Sequence, residues 1–345
     1  MIVDLYKILL IIVATILIYH LNFKFLKFNN KIFDEHQNYS TSILGNPIGG
    51  YTIFLCIIFF KLYFGYLELF FLFCIFVSGI LSDNKIFNSP NKRLLFQVLI
   101  IITSISFSDI GIVSTRIEFI DTLLMNKIIN IIFTTFCILI VINGSNFIDG
   151  LNGLVLGYYS SIIFIILKTN LEVVFDFQNT LMINFLIILM ILLLANFTNK
   201  IFLGDNGSYL IGFLFSIYLI RIHQTNLELS PYFVILLLWY PCFENLFSII
   251  RKLCSSSSPF NPDNNHLHQL LFNLVNTKIF KSKIVSNNLS SVIINLFNFI
   301  VKLKYKYVFG LYKKSNSKSS QRNHIYFYSW FVNISIFYSF SHTEI

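Results

Sequence analysis

The chain has 345 residues, of which 56% are hydrophobic and 12% are charged, and its formal net charge is +9. Soluble domains are typically about one quarter charged, so this composition excludes an ordinary soluble protein and predicts an all-α integral membrane protein. Apolar runs recur to the end of the sequence, which argues against a secreted protein with a cleaved signal peptide.

Nine apolar runs of 14 to 20 residues come first along the chain, and some are short of the roughly 20 residues that a membrane-spanning helix needs. In chain order the nine runs are Leu5–Leu21, Ile48–Phe64, Tyr66–Leu81, Leu94–Phe107, Ile128–Ile142, Leu154–Leu167, Leu181–Phe197, Ser208–Ile222 and Pro231–Ile250.

The C-terminal part of the chain allows one or two further crossings. Val292–Val301 is apolar but short, Lys302–Arg322 is basic, and Tyr326–Phe340 is long enough for a last span. We therefore predict a polytopic bundle of about ten or eleven transmembrane helices. The whole of 1–345 is interpreted as one membrane domain, with a cytoplasmic histidine-motif loop at 251–288 and a basic tail at 302–345.

Short polar segments, which we call islands, interrupt the apolar runs. If each run crosses the membrane once, five islands share one side: Gly45–Gly50, Ser82–Lys85, Asn143–Gly150, Gly204–Ser208 and Pro262–His268. Lys and Arg are also more frequent in the loops on that side, which the positive-inside rule assigns to the cytoplasm. We therefore predict a multi-pass protein of the cell (inner) membrane whose active site is cytoplasmic.

The third island places Asn143, Asn146 and Asp149 three residues apart at the end of a predicted span. Helical spacing puts them roughly along one face, where Gly150 and Gly153 allow close approach of a ligand or of backbone. The alternative is an ordinary polar helix end that asparagine caps.

The fourth island sets Asp205 between two glycines at the start of a predicted span. Mg²⁺ binds one or two protein carboxylates together with substrate phosphates, and a helix N-terminus favours anionic oxygens. The alternative is a plain N-cap. Asp83, just past the third span, has the corresponding alternative of an aspartate in a turn that ends a helix.

The fifth island carries His266 and His268, two residues apart. In an extended loop both rings can be directed at one site, and phosphate oxygens suit them better than zinc, which needs further ligands. The alternative is a pair of surface histidines with no role.

The remaining sequence features argue against other classes of protein. The five cysteines form no CxxC pair, so neither a zinc site nor a disulfide framework is predicted. The basic residues lie in loops that face anionic lipid, and no basic helix with interleaved aromatic residues predicts a nucleic-acid partner.

Taken together, the islands resemble those of the polyprenyl-phosphate N-acetylhexosamine-1-phosphate transferases, in the glycosyltransferase 4 family. The resemblance rests on N-x-x-N-x-x-D-G-x-x-G-L at Asn143–Leu154, G-D-x-G-S at Gly204–Ser208 and S-P-F-x-P-D-x-x-H-x-H at Ser258–His268. The last motif looks like that of the branch that uses UDP-N-acetylglucosamine or a related amino sugar.

The chain departs from the pattern of this family at several positions. The aspartate pair usual after the third span is represented by Asp83 with either Ser82 or Asn84. The second aspartate of the family's D-G-x-D-G stretch is Asn152 here, within Asn143–Leu154, and the acidic residue usual in the ninth span appears as Glu244. The missing carboxylate keeps a catalytically altered or inactive family member open as an alternative.

The resemblance implies transfer of a HexNAc-1-phosphate from a UDP-sugar to polyprenyl (undecaprenyl) phosphate, with release of UMP. It implies Mg²⁺ as the cofactor, with Mn²⁺ as an alternative, and a homodimer stays open. The implied catalytic residues are Asp83, Asp149, Asp205, His266 and His268; the substrate-binding residues are Arg93, Asn143, Asn146, Gly150 and Asn152; and the metal ligands are Asp205 and Asn146. A polytopic transporter, which needs polar groups along a path through its spans, is the alternative from another class.

Overall fold

The fold is known from a computed structural model, which describes residues 5–24, 47–62, 65–87, 89–169, 179–227, 229–254 and 266–310. Within these ranges the regular elements are all α-helices. They are α1 (Leu5–Lys24), α2 (Gly49–Phe59), α3 (Tyr66–Asp83), α4 (Pro90–Ser108), α5 (Glu118–Leu124), α6 (Lys127–Phe147), α7 (Leu154–Thr169), α8 (Asn179–Phe197), α9 (Gly204–Thr225), α10 (Pro231–Cys254), α11 (Leu267–Lys278) and α12 (Lys283–Gly310).

Local sequence explains where several helices begin. Pro90 starts α4, at a position where its fixed backbone angle suits a helix and its missing N–H costs nothing. Asn126 caps α6, because its side-chain oxygen accepts hydrogen bonds from the backbone N–H groups of Ile128 and Ile129 at 2.9 and 3.3 Å.

Helix α9 forms the centre of the bundle. Every residue from Asn206 to Leu219 is buried, so this helix is covered on all sides. Its main neighbours are α2, α3 and α6, and α6 packs in turn against α10. Helices α1, α4 and α5 pack on the outside of this group, against α2, α3 and α6. In a second group, α7 contacts α8 and α12, and α12 contacts α10 and α11.

The predicted fold class, an all-α polytopic membrane bundle, is confirmed. Among the described helices, α3, α6, α10 and the segment Lys283–Lys304 of α12 are both long and apolar enough to cross a membrane. Shorter apolar stretches lie in α1, α2, α7 and α8. The total number of crossings stays a prediction.

Each of the nine apolar runs lies on a helix, with ends that differ by a few residues. The largest differences are five residues long. The second run was predicted to reach residue 64, but α2 ends at Phe59, and the fifth was predicted to end at Ile142, but α6 continues to Phe147. The short helix α5 carried no apolar signal of its own and was not predicted.

The C-terminal part contains more helix than the sequence indicated. The range 251–288, predicted as a loop, contains α11 and the first turns of α12. Helix α12 includes Val292–Val301 and runs on through Lys302, so the predicted tail is helical as far as Gly310. The Lys302 ammonium is buried inside the bundle, where it donates to Ser161 Oγ at 2.9 Å and lies 3.3 Å from the centroid of the Tyr158 ring. The predicted last span, Tyr326–Phe340, lies outside the described residues.

Candidate active site

The C-terminal end of α3 presents three residues to α9. Gly79, Ser82 and Asp83 are separated by three and four positions, so they share one face of the helix. A Cβ atom on Gly79 would lie 2.2 Å from the Cα atom of Asn206, which shows how closely the two backbones approach. This contact brings Ser82 and Asp83 directly to the first turn of α9.

Asp83 caps the N-terminus of α9 from a neighbouring helix. Its two carboxylate oxygens accept hydrogen bonds from the backbone N–H groups of Asp205 at 3.2 Å and Asn206 at 3.1 Å. The first N–H groups of a helix have no partner within the helix, so the carboxylate satisfies them. Gly204 precedes them with a φ of +76°, a conformation that glycine adopts at little cost.

Asp205 is the carboxylate that remains reachable from outside. Its Oδ2 atom accepts from Ser82 Oγ at 2.5 Å, and its Oδ1 atom accepts from Asn146 Nδ2 at 2.9 Å. The Arg93 guanidinium lies 3.7 Å from Oδ2 and donates to Ser82 Oγ at 3.0 Å. The side chains of Asp205 and Arg93 are 18% and 31% exposed, whereas Asp83 is only 8% exposed.

Helix α6 brings Asn146 to Asp205, but Asn143 and Asp149, which were predicted to share a face with Asn146, are placed differently. Asn146 Nδ2 also donates to Ser208 Oγ at 3.1 Å. Asn143, one turn earlier, donates to Gln97 Oε1 on α4 and to the Leu139 carbonyl. The predicted helical face does not extend to Asp149, because α6 ends at Phe147 and Asp149 lies half-buried in the following turn.

The two histidines of the fifth island lie side by side. His266 precedes the first residue of α11 and has an extended backbone (φ −75°, ψ 147°). Its ring stacks on that of His268 at a centroid distance of 5.6 Å. Phe147 contacts the His266 ring at 5.3 Å, and the position of Gly150 is such that an added Cβ would lie 2.7 Å from His268 Nε2. The end of α6 therefore joins the histidines to the Asp205 cluster.

His268 is completely buried, and neither ring nitrogen has a hydrogen-bond partner among the described residues. Burial lowers the pKa of His268 to about 3, and the nearby Glu244 carboxylate opposes this shift only in part. His268 is therefore neutral at physiological pH in the free protein. Buried polar atoms without partners are rare in native proteins and call for a water molecule or a ligand.

Asn152 lies in a separate cluster of asparagines. Its backbone N–H donates to Asn287 Oδ1 at 2.7 Å, and its side-chain amide donates to Asn199 Oδ1 at 2.5 Å and Asn288 Oδ1 at 3.0 Å. Asn196 extends this cluster by accepting from the Gly153 N–H and donating to the Ile201 carbonyl at 2.7 Å. The asparagine cluster thus joins the loop after α6, the end of α8 and the start of α12, and a substrate contact of Asn152 stays a prediction.

All five islands meet through contacts in the described part of the chain. The first island joins them through backbone hydrogen bonds from Gly49 and Gly50 to the Phe202 and Leu203 carbonyls, at 2.9 and 3.2 Å. The second and third reach the fourth at Asp205, and the third reaches the fifth through Gly150. The prediction that the islands share one face is therefore confirmed, although the side of the membrane on which they lie stays a prediction.

The oxygen donors around Asp205 fit a magnesium ion that takes its remaining ligands from substrate phosphates and water. Among the described residues, no group of three or more His, Cys, Asp or Glu side chains is arranged to hold a metal by itself. Mg²⁺ does not need such a group, because it is commonly held by one or two carboxylates together with substrate phosphates and water. Asp205, with the Asn146 side chain beside it, fits that description.

In the sequence, Ser82 stood out only as a departure from a family pattern, and no chemistry was predicted for Gly79 or Gly50. The structure shows that Ser82 bonds to Asp205, whereas Asn84 ends α3 with an exposed side chain. The signal for Gly79 and Ser82 was present in their spacing from Asp83. The packing of Gly50 on α9 had no such signal, because it depends on a partner far along the chain.

Comparison with known proteins points to a family. The model of glycosyl transferase family 4 matches residues 66–223, a range that includes Ser82, Asp83, Asn146 and Asp205. The chain is also similar to proteins named undecaprenyl-phosphate alpha-N-acetylglucosaminyl 1-phosphate transferase. The one from Thermotoga maritima is 26% identical over 226 residues, covering 65% of this chain and 67% of that protein.

Two further relatives of the same name match a shorter region. The protein from Yersinia pestis is 32% identical over 147 residues, which is 41% of this chain and 40% of the relative. The protein from Escherichia coli K12 is 32% identical over 149 residues, or 40% and 39% of the two chains. The chain thus matches about two fifths of the length of these two relatives.

Proposed function

We propose that this chain, whose residues 66–223 belong to glycosyl transferase family 4, transfers a sugar 1-phosphate from a UDP-N-acetylhexosamine to polyprenyl phosphate. The observation that carries the proposal is the meeting of five polar islands around the partly exposed carboxylate of Asp205, at the end of a membrane bundle. A water-soluble nucleotide sugar and the phosphate of a membrane lipid can both reach such a place. The names of the similar proteins support the same reaction class.

In this reaction a phosphate oxygen of the lipid attacks the β-phosphorus of the donor. The bond between that phosphorus and the bridging oxygen breaks, and UMP leaves with the electron pair while the lipid gains a diphosphate-linked sugar. A phosphate monoester has its second pKa near 6, so the nucleophile is largely ionised at neutral pH. Positioning and neutralisation of charge are therefore the main tasks of the protein.

Asp205 and the Asn146 amide oxygen are the groups that would hold Mg²⁺. When bound, the ion supplies positive charge against the diphosphate oxygens and the leaving UMP. Asp205 is oriented by Ser82 and Asn146, which fix its two oxygens in place before any ligand arrives. Such preorganised groups lose little freedom on binding.

Arg93 contributes a second positive charge at the same place. It contacts Ser82 and lies 3.7 Å from Asp205, and nearly a third of its side chain is exposed, so its donors can turn to a phosphate oxygen. Arginine donates in a planar fork that matches phosphate geometry. We assign Asp149 and Gly150 to the donor's binding surface and the histidine pair to its diphosphate.

Asp83 has a role that differs from proton abstraction. Both of its oxygens accept backbone N–H groups, and it holds the first turn of α9 against α3. Because the nucleophile is already ionised, the reaction does not need Asp83 as a base. We propose that Asp83 positions the backbone that carries Asp205.

The direct test is UMP release by purified full-length protein supplied with undecaprenyl phosphate, Mg²⁺ and a panel of UDP-N-acetylhexosamines. Release that requires both the lipid and the metal ion supports the proposal and identifies the sugar. Folded protein that is silent with every donor, or that moves a solute across vesicle membranes, contradicts it and favours an inactive relative or a transporter.

We also propose that the site faces the cytoplasm. The test places a single cysteine at the exposed position of Lys85, beside the second island, in a variant without native cysteines, and treats whole cells with a membrane-impermeant thiol reagent. Labelling only after the cells are opened supports the proposal, and labelling of intact cells contradicts it. A cysteine at exposed Lys127, at the opposite end of α6, serves as the matched control, because it should label in intact cells.

A further inference from the structure

The buried carboxylate of Glu244 holds the histidine pair in place. This residue lies on α10 and is 2% exposed. Its Oε2 atom is 2.9 Å from His266 Nδ1, and its Oε1 atom accepts the backbone N–H of Leu267 at 3.2 Å. One side chain therefore fixes both the imidazole ring of His266 and the first turn of α11.

His266 has little freedom to turn away from this arrangement. Its backbone N–H donates to Gln269 Oε1 at 3.2 Å, and its ring packs between those of Phe147 and His268. An ionised carboxylate only accepts hydrogen bonds, so the ring nitrogen that faces Glu244 must carry a hydrogen. The other nitrogen, Nε2, lies on the far side of the ring from Glu244.

We infer that Glu244 is a positioning residue for the transferase reaction, and that it acts by fixing His266 as the Nδ1–H form with Nε2 available to the donor diphosphate. The inference rests on the function proposed above. In the neutral Nδ1–H form, Nε2 can only accept a hydrogen bond, so contact with an anionic diphosphate oxygen takes a second proton at Nε2, and the Glu244 carboxylate balances the resulting charge. Partners that orient a functional imidazole in this way typically change activity or affinity by about 10- to 100-fold when they are removed.

The first test measures the ring hydrogen and needs no turnover. Full-length protein labelled with ¹⁵N-histidine is compared with Glu244→Gln by solid-state NMR, and His266→Gln identifies the signal. The glutamine oxygen can still accept from Leu267, which turns its NH₂ group toward Nδ1. We expect hydrogen on Nδ1 in the original protein and on Nε2 in Glu244→Gln. The same ring form in both proteins overturns the inference.

The second test measures whether Glu244 acts through His266. We expect Glu244→Gln to lower kcat for UMP release by about 10- to 100-fold with a smaller change in the KM for the UDP-sugar. In a His266→Asn background, the same substitution should lower kcat by no more than about twofold, because coupled residues are not additive. Effects that multiply show that Glu244 acts independently of His266 and overturn the inference.

Glu68→Gln is the matched control, since Glu68 is also a buried carboxylate, bonded to Arg221 between α3 and α9. It should lower thermal stability without altering the ring form of His266. The two proposals fail in different ways. If the original protein releases no UMP, the proposed function is wrong, and the NMR comparison still decides whether Glu244 sets the ring form.

Discussion

Each end of the α3–α9 pair has one carboxylate and one guanidinium, which are in direct contact at one end and apart at the other. At one end, Glu68 and Arg221 are in direct contact, with Arg221 Nε 3.1 Å from Glu68 Oε1, and Arg221 also donates to the Ser108 carbonyl at 3.2 Å. At the other end, Arg93 and Asp205 stand 3.7 Å apart with Ser82 bonded to both. The first pair is closed, with side-chain exposures of 19% and 5%, and the second is open, with 31% and 18%.

This difference separates the two roles that an ion pair can have. A closed pair satisfies its own charges, so it contributes to the packing of the bundle and offers nothing to a ligand. An open pair keeps a carboxylate and a guanidinium apart, and each retains capacity for a partner of the opposite charge. The site thus lies at the end of the bundle where the charges are held apart.

The largest effect is expected at the open end. Asp205→Asn keeps the size of the side chain and removes its charge, so it should lower Mg²⁺-dependent UMP release by about a thousandfold or more, equivalent to about 4 kcal/mol of activation free energy. The measurement is turnover by purified protein whose membrane insertion and thermal midpoint match those of the original. Activity within tenfold of the original would remove Asp205 from the centre of the site.

At the closed end, Glu68→Gln should affect stability instead of chemistry. Breaking one partner of a fully buried ion pair typically costs about 3–5 kcal/mol. The Arg221 side chain is 19% exposed, so the cost here should lie at or below the lower end of that range. We expect a lower thermal midpoint in detergent and unchanged kcat per folded molecule below that midpoint. A selective loss of kcat would show that the two ends are not separate in function.

The close contact of α3 with α9 should tolerate no added atom. Gly79→Ala would place a Cβ 2.2 Å from the Cα of Asn206, and overpacking of this kind typically costs about 1–3 kcal/mol. We expect a lower thermal midpoint together with reduced turnover, since the shift moves Ser82 and Asp83. Gly65→Ala is the control, because no atom lies within 4 Å of its added Cβ, and it should change neither quantity.

The buried state of His268 predicts a pH dependence of stability. The unfolded chain takes up a proton at a pKa of about 6.5, whereas the folded chain does so only at about 3. Stability from this group is therefore complete above pH 6.5 and falls by about tenfold in the folding equilibrium per pH unit below it. The check is the thermal midpoint between pH 5 and 8 for the original and for His268→Leu, and equal slopes in the two proteins would contradict the prediction.

The smallest effect is expected from Ser82→Ala. This change removes one hydrogen bond to Asp205 and one from Arg93, and bonds to charged groups contribute about 1.5–3 kcal/mol at most. Because Arg93 can then move closer to Asp205, we expect only about a tenfold loss of turnover. Ser78→Ala, one turn earlier, removes a bond to the Ile75 carbonyl on the same helix and should leave turnover unchanged.

Much of this architecture could be predicted from the sequence because membrane spans leave a strong signal. The apolar runs located nine helices, and the order of the islands placed their polar residues at one end. The meeting of Asp83, Asn146 and Asp205 also followed from that order, because helices that alternate in direction bring every second loop together.

The features of the fold and site that could not be predicted depend on contacts between distant parts of the chain, which no local sequence pattern encodes. Asn152 and Asn146 carry the same side chain at a regular spacing, yet one joins α12 and the other reaches Asp205. Asp83 was expected to act on substrate, and its bonds to two backbone N–H groups depend on how closely Gly79 allows α9 to approach. Helix α11 was predicted as a loop because its apolar face is short and begins inside a polar island.

The asparagine cluster has an electrostatic consequence for the neighbouring site. Its hydrogen bonds hold the segment that leads into Asp205 in place. They are made by amide groups, which carry dipoles but no net charge. Interactions between full charges fall off only slowly with distance inside a protein, so a lysine or aspartate used for the same fastening would act on any nearby ligand. Neutral side chains in this cluster leave the electric potential at the mouth of the site to the charged groups already there, Asp83, Arg93 and Asp205.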